Sequence, residues 1–290
     1  MSSRHVEGMK CTLNMFTFNF GCIDKSQATQ GESAVQNAVP VAQQIPSKVQ
    51  IDKECIKNPI TVKVEDMEVR LVDPYDVVNH LKTSELKDLV ALQADRAHSD
   101  LIPGVYEGGM KIWESTFDLG SLVLKKVPNI FDNKSTLDLG CGSGVLGILA
   151  LKMGSKSVHF HDYNSEVLSL VTIPNVSLND ENSLDRCQFW SGDWESYDQV
   201  DNTRFDLILT SETIYNAKNH KKLHDVIKSK LNPGGAAYVA GKMYYFGVGG
   251  SMKGFRQTVE NEKIFDVTSI WVSEEGVKRE ILLLEHTKAS

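Results

Sequence analysis

Within the stretch LDLGCGSGVLG, Leu137 to Gly147, four glycines fall in eight residues. An apolar run precedes them and a helical pattern follows. Such a loop lets backbone approach a ligand closely, and the helix start offers N–H groups to it. Two chemistries fit the letters. Gly142, Gly144 and Gly147 spell G-x-G-x-x-G, the nicotinamide-dinucleotide pattern. Asp138, Gly140, Gly142 and Gly144 spell D-x-G-x-G-x-G, the pattern of a loop that holds a methyl donor. Asp138 separates the two. A dinucleotide brings a doubly charged pyrophosphate to this turn, and a carboxylate about 4 Å from a phosphate charge costs about 4 kcal/mol at an effective dielectric near 20. S-adenosylmethionine brings an ammonium and a sulfonium, which the same carboxylate attracts. The loop therefore predicts S-adenosylmethionine as the cofactor.

Other polar residues fall at the ends of apolar runs. Asp162 closes SVHFHD, where a carboxylate accepts from ribose hydroxyls of either ligand. Asp193 in SGDWES is placed to accept from the adenine amine, or is a surface acid; Trp194 beside it stacks on the ring or simply packs. In LTSETIYN the residues Thr210, Ser211, Glu212, Thr213, Tyr215 and Asn216 crowd the point towards which a transferable methyl would face. Upstream, the face of Trp113 suits a sulfonium or adenine as well as a core. Gly108 and Gly109 allow a tight turn over a cofactor, which a plain loop needs equally.

These residues require a scaffold, and the chain spells one. Strands are predicted at 135–139, 157–162, 186–191, 204–210 and 236–241, and helices at 114–126, 144–153, 165–173, 217–231 and 251–262. Pro174 should end or kink the helix before it. This alternation predicts a parallel sheet with helices on both faces. The last two strands, IFDVTSIWV and VKREILLLEH, are joined only by SEEG and must form an antiparallel hairpin. A seven-stranded, mostly parallel α/β sheet with a C-terminal antiparallel hairpin is the Rossmann-like fold of class I methyltransferases. Ligands in such sheets bind at the carboxyl ends of strands, where strand order reverses.

Residues 100–290 form this predicted domain. Residues 51–99 read as a strand and helix extension: ITVKVEDMEVRLV alternates like a strand, and Ser84 caps a helix from Glu85 towards His98. Residues 1–50 read as mostly disordered, being rich in Gln, Ala and Ser without periodicity, apart from FTFNF at 16–20. Net charge is −7, which argues against a generic nucleic-acid binder. Five dispersed cysteines without C-x-x-C suit reduced thiols in a cytoplasmic or nuclear setting. No run is long enough to span a membrane, no secretory signal is read, and the eight histidines make no metal-ligand set. A monomer is expected.

The segments DLIPGVYEGGMKIWESTFDL (100–119), LDLGCGSGVLGILALKMGSKSVHFHDYNSEVL (137–168), RFDLILTSETIYN (204–216) and KMYYFGVGGSMKGF (242–255) resemble the protein-histidine N-methyltransferases. The resemblance covers about two thirds of the chain; FTFNF is similar to the family's N-terminus. Met15 directly precedes FTFNF and offers a second start, which would make residues 1–14 an extension. The resemblance implies methyl transfer to the tele nitrogen of a histidine on a large-subunit ribosomal protein, hence a basic protein partner and a cytoplasmic and nuclear, even nucleolar, place of work. It also implies cofactor contacts at Trp113, Glu114, Gly140, Asp162, Tyr163, Asn164, Gly192, Asp193 and Ser211.

A neutral imidazole is already a nucleophile, because its reference pKa of about 6.5 leaves most of it unprotonated at pH 7. A lysine at about 10.4 needs some 3.4 units of deprotonation, about 4.6 kcal/mol. What the ring needs is the right tautomer, aligned with the methyl–sulfur axis. A carboxylate accepting its other N–H provides that. Glu212 is the first candidate and Glu107 the second, with Tyr215 or Asn216 orienting more weakly. A lysine methyltransferase of the same fold and a non-catalytic binding module are the alternatives.

Overall fold

Apolar runs with β-branched residues alternate with amphipathic helices from Glu114 onward, and the computed structural model turns them into one sheet between helices. It describes residues 39–48, 56–83, 89–127 and 129–287. In chain order come β1 (Gln43–Ile45), the hairpin of β2 (Ile60–Val64) and β3 (Met67–Leu71), α1 (Pro74–Thr83), α2 (Val90–Arg96) and α3 (Glu114–Lys126). Then follow β4 (Ser135–Leu139), α4 (Val145–Lys152), β5 (Ser157–Asp162), α5 (Ser165–Val167), α6 (Ile173–Asn179), β6 (Cys187–Ser191) and α7 (Trp194–Val200). The chain ends with β7 (Phe205–Ser211), α8 (His220–Lys230), β8 (Leu231–Lys242), α9 (Met252–Glu262), β9 (Phe265–Val272) and β10 (Arg279–His286).

The sheet order is β1-β6-β5-β4-β7-β8-β10-β9. Strands β6, β5, β4, β7 and β8 run parallel, and β10 pairs antiparallel with both β8 and β9. Strand order reverses beside β4, so the glycine loop leaves the sheet at its switch point. Every residue of β4 is buried, and alternation sends Leu137 and Leu139 into one apolar layer with Ile208, Leu223 and Phe255. Asp138 faces the opposite layer, where α4 packs with all of Val145–Leu151 buried. Among the described residues no helix is long and apolar enough to cross a membrane.

Four expectations change. The run ITVKVEDMEVRLV is a hairpin rather than one strand, turning at Glu65 with φ +54°. The helix expected from Glu85 is described from Val90, after an unforeseen α1; the Ser84 cap lies outside the described residues. The helix before Pro174 does not stop there: a π-helical turn over Leu168–Thr172 leads directly into α6. The wider turn loosens the regular bonding at the point where proline cannot donate. Finally, residues 39–48, assigned above to a mostly disordered segment, contain β1, an eighth strand antiparallel to β6. FTFNF and Met15 lie outside the described residues.

Candidate functional site

Above the carboxyl ends of the parallel strands lies a cleft of about 790 Å³. Its floor is the glycine loop and its walls come from the 107–116 segment, β5, the start of α7 and the end of β7.

Gly140, Gly142 and Gly144 take φ values of +70°, +50° and +76°, which side chains resist. A Cβ on Gly142 would lie 2.9 Å from the Gly109 carbonyl oxygen, so the loop and the incoming 108–109 turn need each other's bareness. Gly147 serves packing instead: a Cβ there would meet the Phe160 ring at 2.2 Å. Four of the loop's amides are spent inside the protein. Cys141 N–H donates to His161 O at 2.8 Å, Gly144 N–H to Cys141 O at 2.8 Å, and Gly142 N–H to Asp162 Oδ2 at 2.9 Å. Gly147 N–H, in the first turn of α4, donates to Asp138 Oδ2 at 2.8 Å. The residue ahead of α4 is Gly144, which has no side chain to cap with, so Asp138 caps the helix from the strand beneath.

This corrects the reading of Asp138. Its carboxylate is 1% exposed and lies under the loop rather than in the cleft lining. Burial pushes it up to about 8, against the pull of the Gly147 N–H. The argument against a pyrophosphate rests instead on the engaged amides of Cys141, Gly142, Gly144 and Gly147, two of them held by carboxylates. Asp162 does line the cleft, and burial pushes it up to about 6, with the amides of Asn164 and Gly142 pulling the other way. Asp193 also lines it, but shares its oxygens between the Glu195 amide of α7 and the Lys222 ammonium, at 3.0–3.1 Å. Trp194 and Tyr163 flank these acids.

The far end of the cleft holds the acceptor side. Glu212 is buried in the left-handed region, φ +59°. Its amide donates to Ala240 O at 2.9 Å; Oε1 accepts from the Ser115 hydroxyl at 2.6 Å, and Oε2 accepts from the Tyr245 hydroxyl at 2.6 Å. Burial raises its pKa, while Lys242, Ser115 and Tyr245 pull it down. Both oxygens therefore have donors already, which weakens the first candidate for holding an imidazole N–H. Glu107 differs. Oε1 accepts from Gly104 N–H at 2.6 Å, whereas Oε2 is buried without a hydrogen-bond partner. Burial pushes its carboxyl up to about 7. Both acids and Tyr215 line a smaller cavity that shares Glu107, Trp113, Glu212 and Tyr215 with the main cleft. The indole N–H of Trp113 donates to Gly108 O at 3.2 Å, and the ammoniums of Lys111 and Lys242 lie 5.3 and 5.5 Å from its ring.

The main cleft thus gathers Glu107, Trp113, Gly140, Gly142, Asp162, Tyr163, Asp193, Trp194, Ser211, Glu212 and Tyr215. Asp138, Glu114, Gly144, Asn164 and Gly192 stand behind it. Glu114 lies 3.2 Å from the Lys242 ammonium. Asn164 ties the 105–107 segment to the end of β5, accepting from Glu107 N–H at 3.0 Å and donating to Val105 O at 2.8 Å. Gly192, at φ +116°, lets β1 pass: a Cβ would meet Ala42 at 2.6 Å. Reading the sequence missed Ser115 and Tyr245, the two donors on Glu212. They lie 97 and 33 residues from it, and no spacing signal connects them. Away from the cleft, His224, Asp225 and Glu262 bring ligand-type atoms within 4.8 Å, but the Lys221 ammonium pairs with both carboxylates.

Parallel strands closed by an antiparallel hairpin, with a glycine loop at the switch point and an acid-lined cleft above it, define the class I methyltransferase fold. A 16S rRNA methyltransferase from T. thermophilus, solved in complex with AdoMet and guanosine, shares this fold with a TM-score of 0.51, at 17% identity over 79% of this chain and 50% of that one. A family described as Lysine methyltransferase matches residues 104–247. The Histidine protein methyltransferase 1 homolog of Bos taurus is 40% identical over 235 residues, 70% of this chain and 63% of that protein. Histidine protein methyltransferase 1 of Schizosaccharomyces pombe is 32% identical over 234 residues, 64% of this chain and 67% of that protein. The chain belongs to the histidine protein methyltransferase family. It spans a little under two thirds of the length of the mammalian relatives it matches.

Proposed function

We propose that this chain transfers a methyl group from S-adenosylmethionine to an imidazole nitrogen of a histidine in a protein, with a basic large-subunit ribosomal protein as substrate. The observation that carries the reading is the bare, buried Oε2 of Glu107 at the junction of the two cavities. The family membership supports the target residue, and a ribosomal substrate suits a cytoplasmic and nuclear place of work. Bound in the cleft, S-adenosylmethionine supplies a methyl on a cationic sulfur, which suits walls rich in carboxylates and ring faces.

The protein's part is placement. The bare glycine loop and the 108–109 turn would admit the cofactor; Asp162, which lines the cleft with one amide donor on each oxygen, would accept from ribose hydroxyls through its remaining lone pairs, and Trp194 would offer a face to the adenine. Glu107 Oε2 accepts the N–H of the target ring, so the opposite nitrogen presents its lone pair to the methyl. Transfer of the methyl, whose bonding pair stays with the donor's sulfur, would leave the ring an imidazolium; Glu107 would stabilise that charge and accept the N–H proton. A carboxylate titrating near 7 is matched to that exchange at neutral pH. Glu212, held by Ser115 and Tyr245, shapes the pocket.

The test is to incubate the protein with labelled S-adenosylmethionine and acid-extracted large-subunit ribosomal proteins, then map the label by mass spectrometry. Label on histidine supports the reading. Label on lysine would replace it with the activity that the matching family description names. Absence of any turnover, with cofactor bound, would favour a non-catalytic module.

A further inference from the structure

The smaller cavity beside the cleft is walled by Leu101, Trp113, Tyr215 and Tyr245 and carries the two carboxylates Glu107 and Glu212. We propose that this cavity is the acceptor subsite, that it binds a neutral imidazole ring, and that Tyr245 makes it selective against an amine by occupying Glu212. The inference rests on the function proposed above and adds the determinant of its specificity.

The argument is one of donors and acceptors. A neutral imidazole carries one N–H and one bare nitrogen, whereas an ammonium carries three donors and a full charge. Burying three donors calls for several acceptors, and leaving any unpaired is costly. The subsite offers one carboxylate oxygen without a donor, Glu107 Oε2. Each oxygen of the other acid already carries a donor. The Tyr245 hydroxyl faces Glu212 Oε2 at 2.6 Å and is itself pinned by accepting from Lys242 N–H at 3.0 Å. Ser115 holds Oε1 through both its hydroxyl and its amide, at 2.6 and 3.3 Å. Three aromatic walls then suit a flat ring. Tyr245 is thus a positioning residue that acts through Glu212.

Two small probes test this without a protein substrate. With the full chain saturated by S-adenosylhomocysteine, 4-methylimidazole and n-butylamine are titrated at pH 7.5 and followed by NMR, on wild type, Glu107→Gln and Tyr245→Phe. Wild type is expected to prefer the ring, and Glu107→Gln to weaken ring binding about ten-fold through loss of a charge-assisted bond. Tyr245→Phe bares Glu212 Oε2, and the amine-to-ring affinity ratio should rise at least about five-fold. A merely structural role for Tyr245 would weaken both probes alike and leave the ratio unmoved, which would overturn the proposal. Should Tyr245→Phe fail to fold, Ser115→Ala removes the hydroxyl from the other oxygen, leaving it only the longer amide bond, and must move the ratio in the same direction. Binding of neither probe, or no response to Glu107→Gln, would also overturn the subsite. Wild type preferring the amine, with Glu107→Gln still weakening it, would keep the cavity as the acceptor subsite, overturn its ring selectivity and count against histidine as the target.

Discussion

Asp138 lies beneath the glycine loop and accepts the Gly147 amide hydrogen at 2.8 Å. The acid that marks the motif in the sequence is thus a helix cap in the structure, and its influence on a ligand passes through the shape of the loop. Asp138→Ala leaves a buried amide without a partner, a loss of about 1–3 kcal/mol. Its melting temperature should drop and its affinity for S-adenosylmethionine should weaken with it. Asp138→Asn keeps an oxygen for the Gly147 N–H and should bind the cofactor within about five-fold of wild type, given the roughly 1 kcal/mol scatter of such exchanges. Calorimetry and thermal unfolding check both variants. An Asn variant of normal stability that has lost the cofactor would show that the charge itself matters, as the sequence pattern suggested.

Gly142→Arg should abolish cofactor binding and leave the sheet folded. Position 142 has φ +50°, and even a Cβ would press on the Gly109 carbonyl at 2.9 Å. Calorimetry against S-adenosylhomocysteine with circular dichroism is the check. Retained micromolar affinity would show that this turn does not face the ligand.

Glu107→Gln should slow single-turnover methyl transfer about ten- to a hundred-fold, the equivalent of one lost charge-assisted hydrogen bond. Its stability should hold, because Oε2 supports no contact in the fold. Glu212→Gln should behave in the opposite manner. An amide nitrogen placed against the Ser115 or Tyr245 hydroxyl disturbs a buried network, so the melting temperature should drop. If Glu212→Gln instead keeps its stability and loses the rate, the imidazole partner is Glu212.

Stability should fall as pH rises from about 6 to 8 in the absence of cofactor. Burial raises Glu107 from 4.5 to about 7, Asp138 from 3.8 to about 8 and Asp162 from 3.8 to about 6. Each holds a proton in the folded chain, up to its raised value, that it has already lost in the unfolded one; Asp162 releases its proton near pH 6, and Glu107 and Asp138 carry the slope above that. The native state binds more protons across this window, and raising pH favours unfolding. His161, lowered by burial to about 3, works in the other direction only below its ordinary 6.5, where the unfolded chain gains the proton first. Thermal melts at pH 6, 7 and 8 measure the slope, and Asp138→Asn should flatten it above pH 7. A flat wild-type profile would mean these acids are ionised in the fold. The rate profile is separate: transfer to a histidine should level off above about pH 7.5, and transfer to a lysine would keep rising past pH 8.

Removal of residues 1–49 should weaken cofactor binding several-fold, on the scale of roughly 1 kcal/mol per hydrogen bond lost. Asp193 N–H donates to Pro40 O at 3.0 Å, and Ala42 N–H donates to Ser196 Oγ at 2.8 Å, so this short stretch covers the turn that carries Asp193. Removal of residues 1–38 alone, whose composition is polar and aperiodic, should leave affinity unchanged. Equal affinity in both truncations would show that β1 covers the turn without supporting it.

Much of the scaffold was legible because its signals are local. The β5 run SVHFHD, the α3 pattern over 114–126 and the terminal pair without room for a crossover each declare themselves within a dozen residues, and parallel order follows from the alternation. The lining glycines, Asp162 and Ser211 were likewise readable, since a switch point places whatever follows each strand at the same mouth. Three carboxylates were engaged by partners that the sequence did not announce. Asp138, Glu212 and Asp193 turned out to be engaged by Gly147, by Ser115 and Tyr245, and by Lys222. Their letters announce carboxylates, but which oxygen stays bare depends on donors brought from 9 to 97 residues away. Strand ends, helices and the ligand's side of the sheet follow from periodicity along the chain. The division between Glu107 and Glu212 does not, because hydrogen-bond saturation belongs to the packed interior, where distant segments first meet.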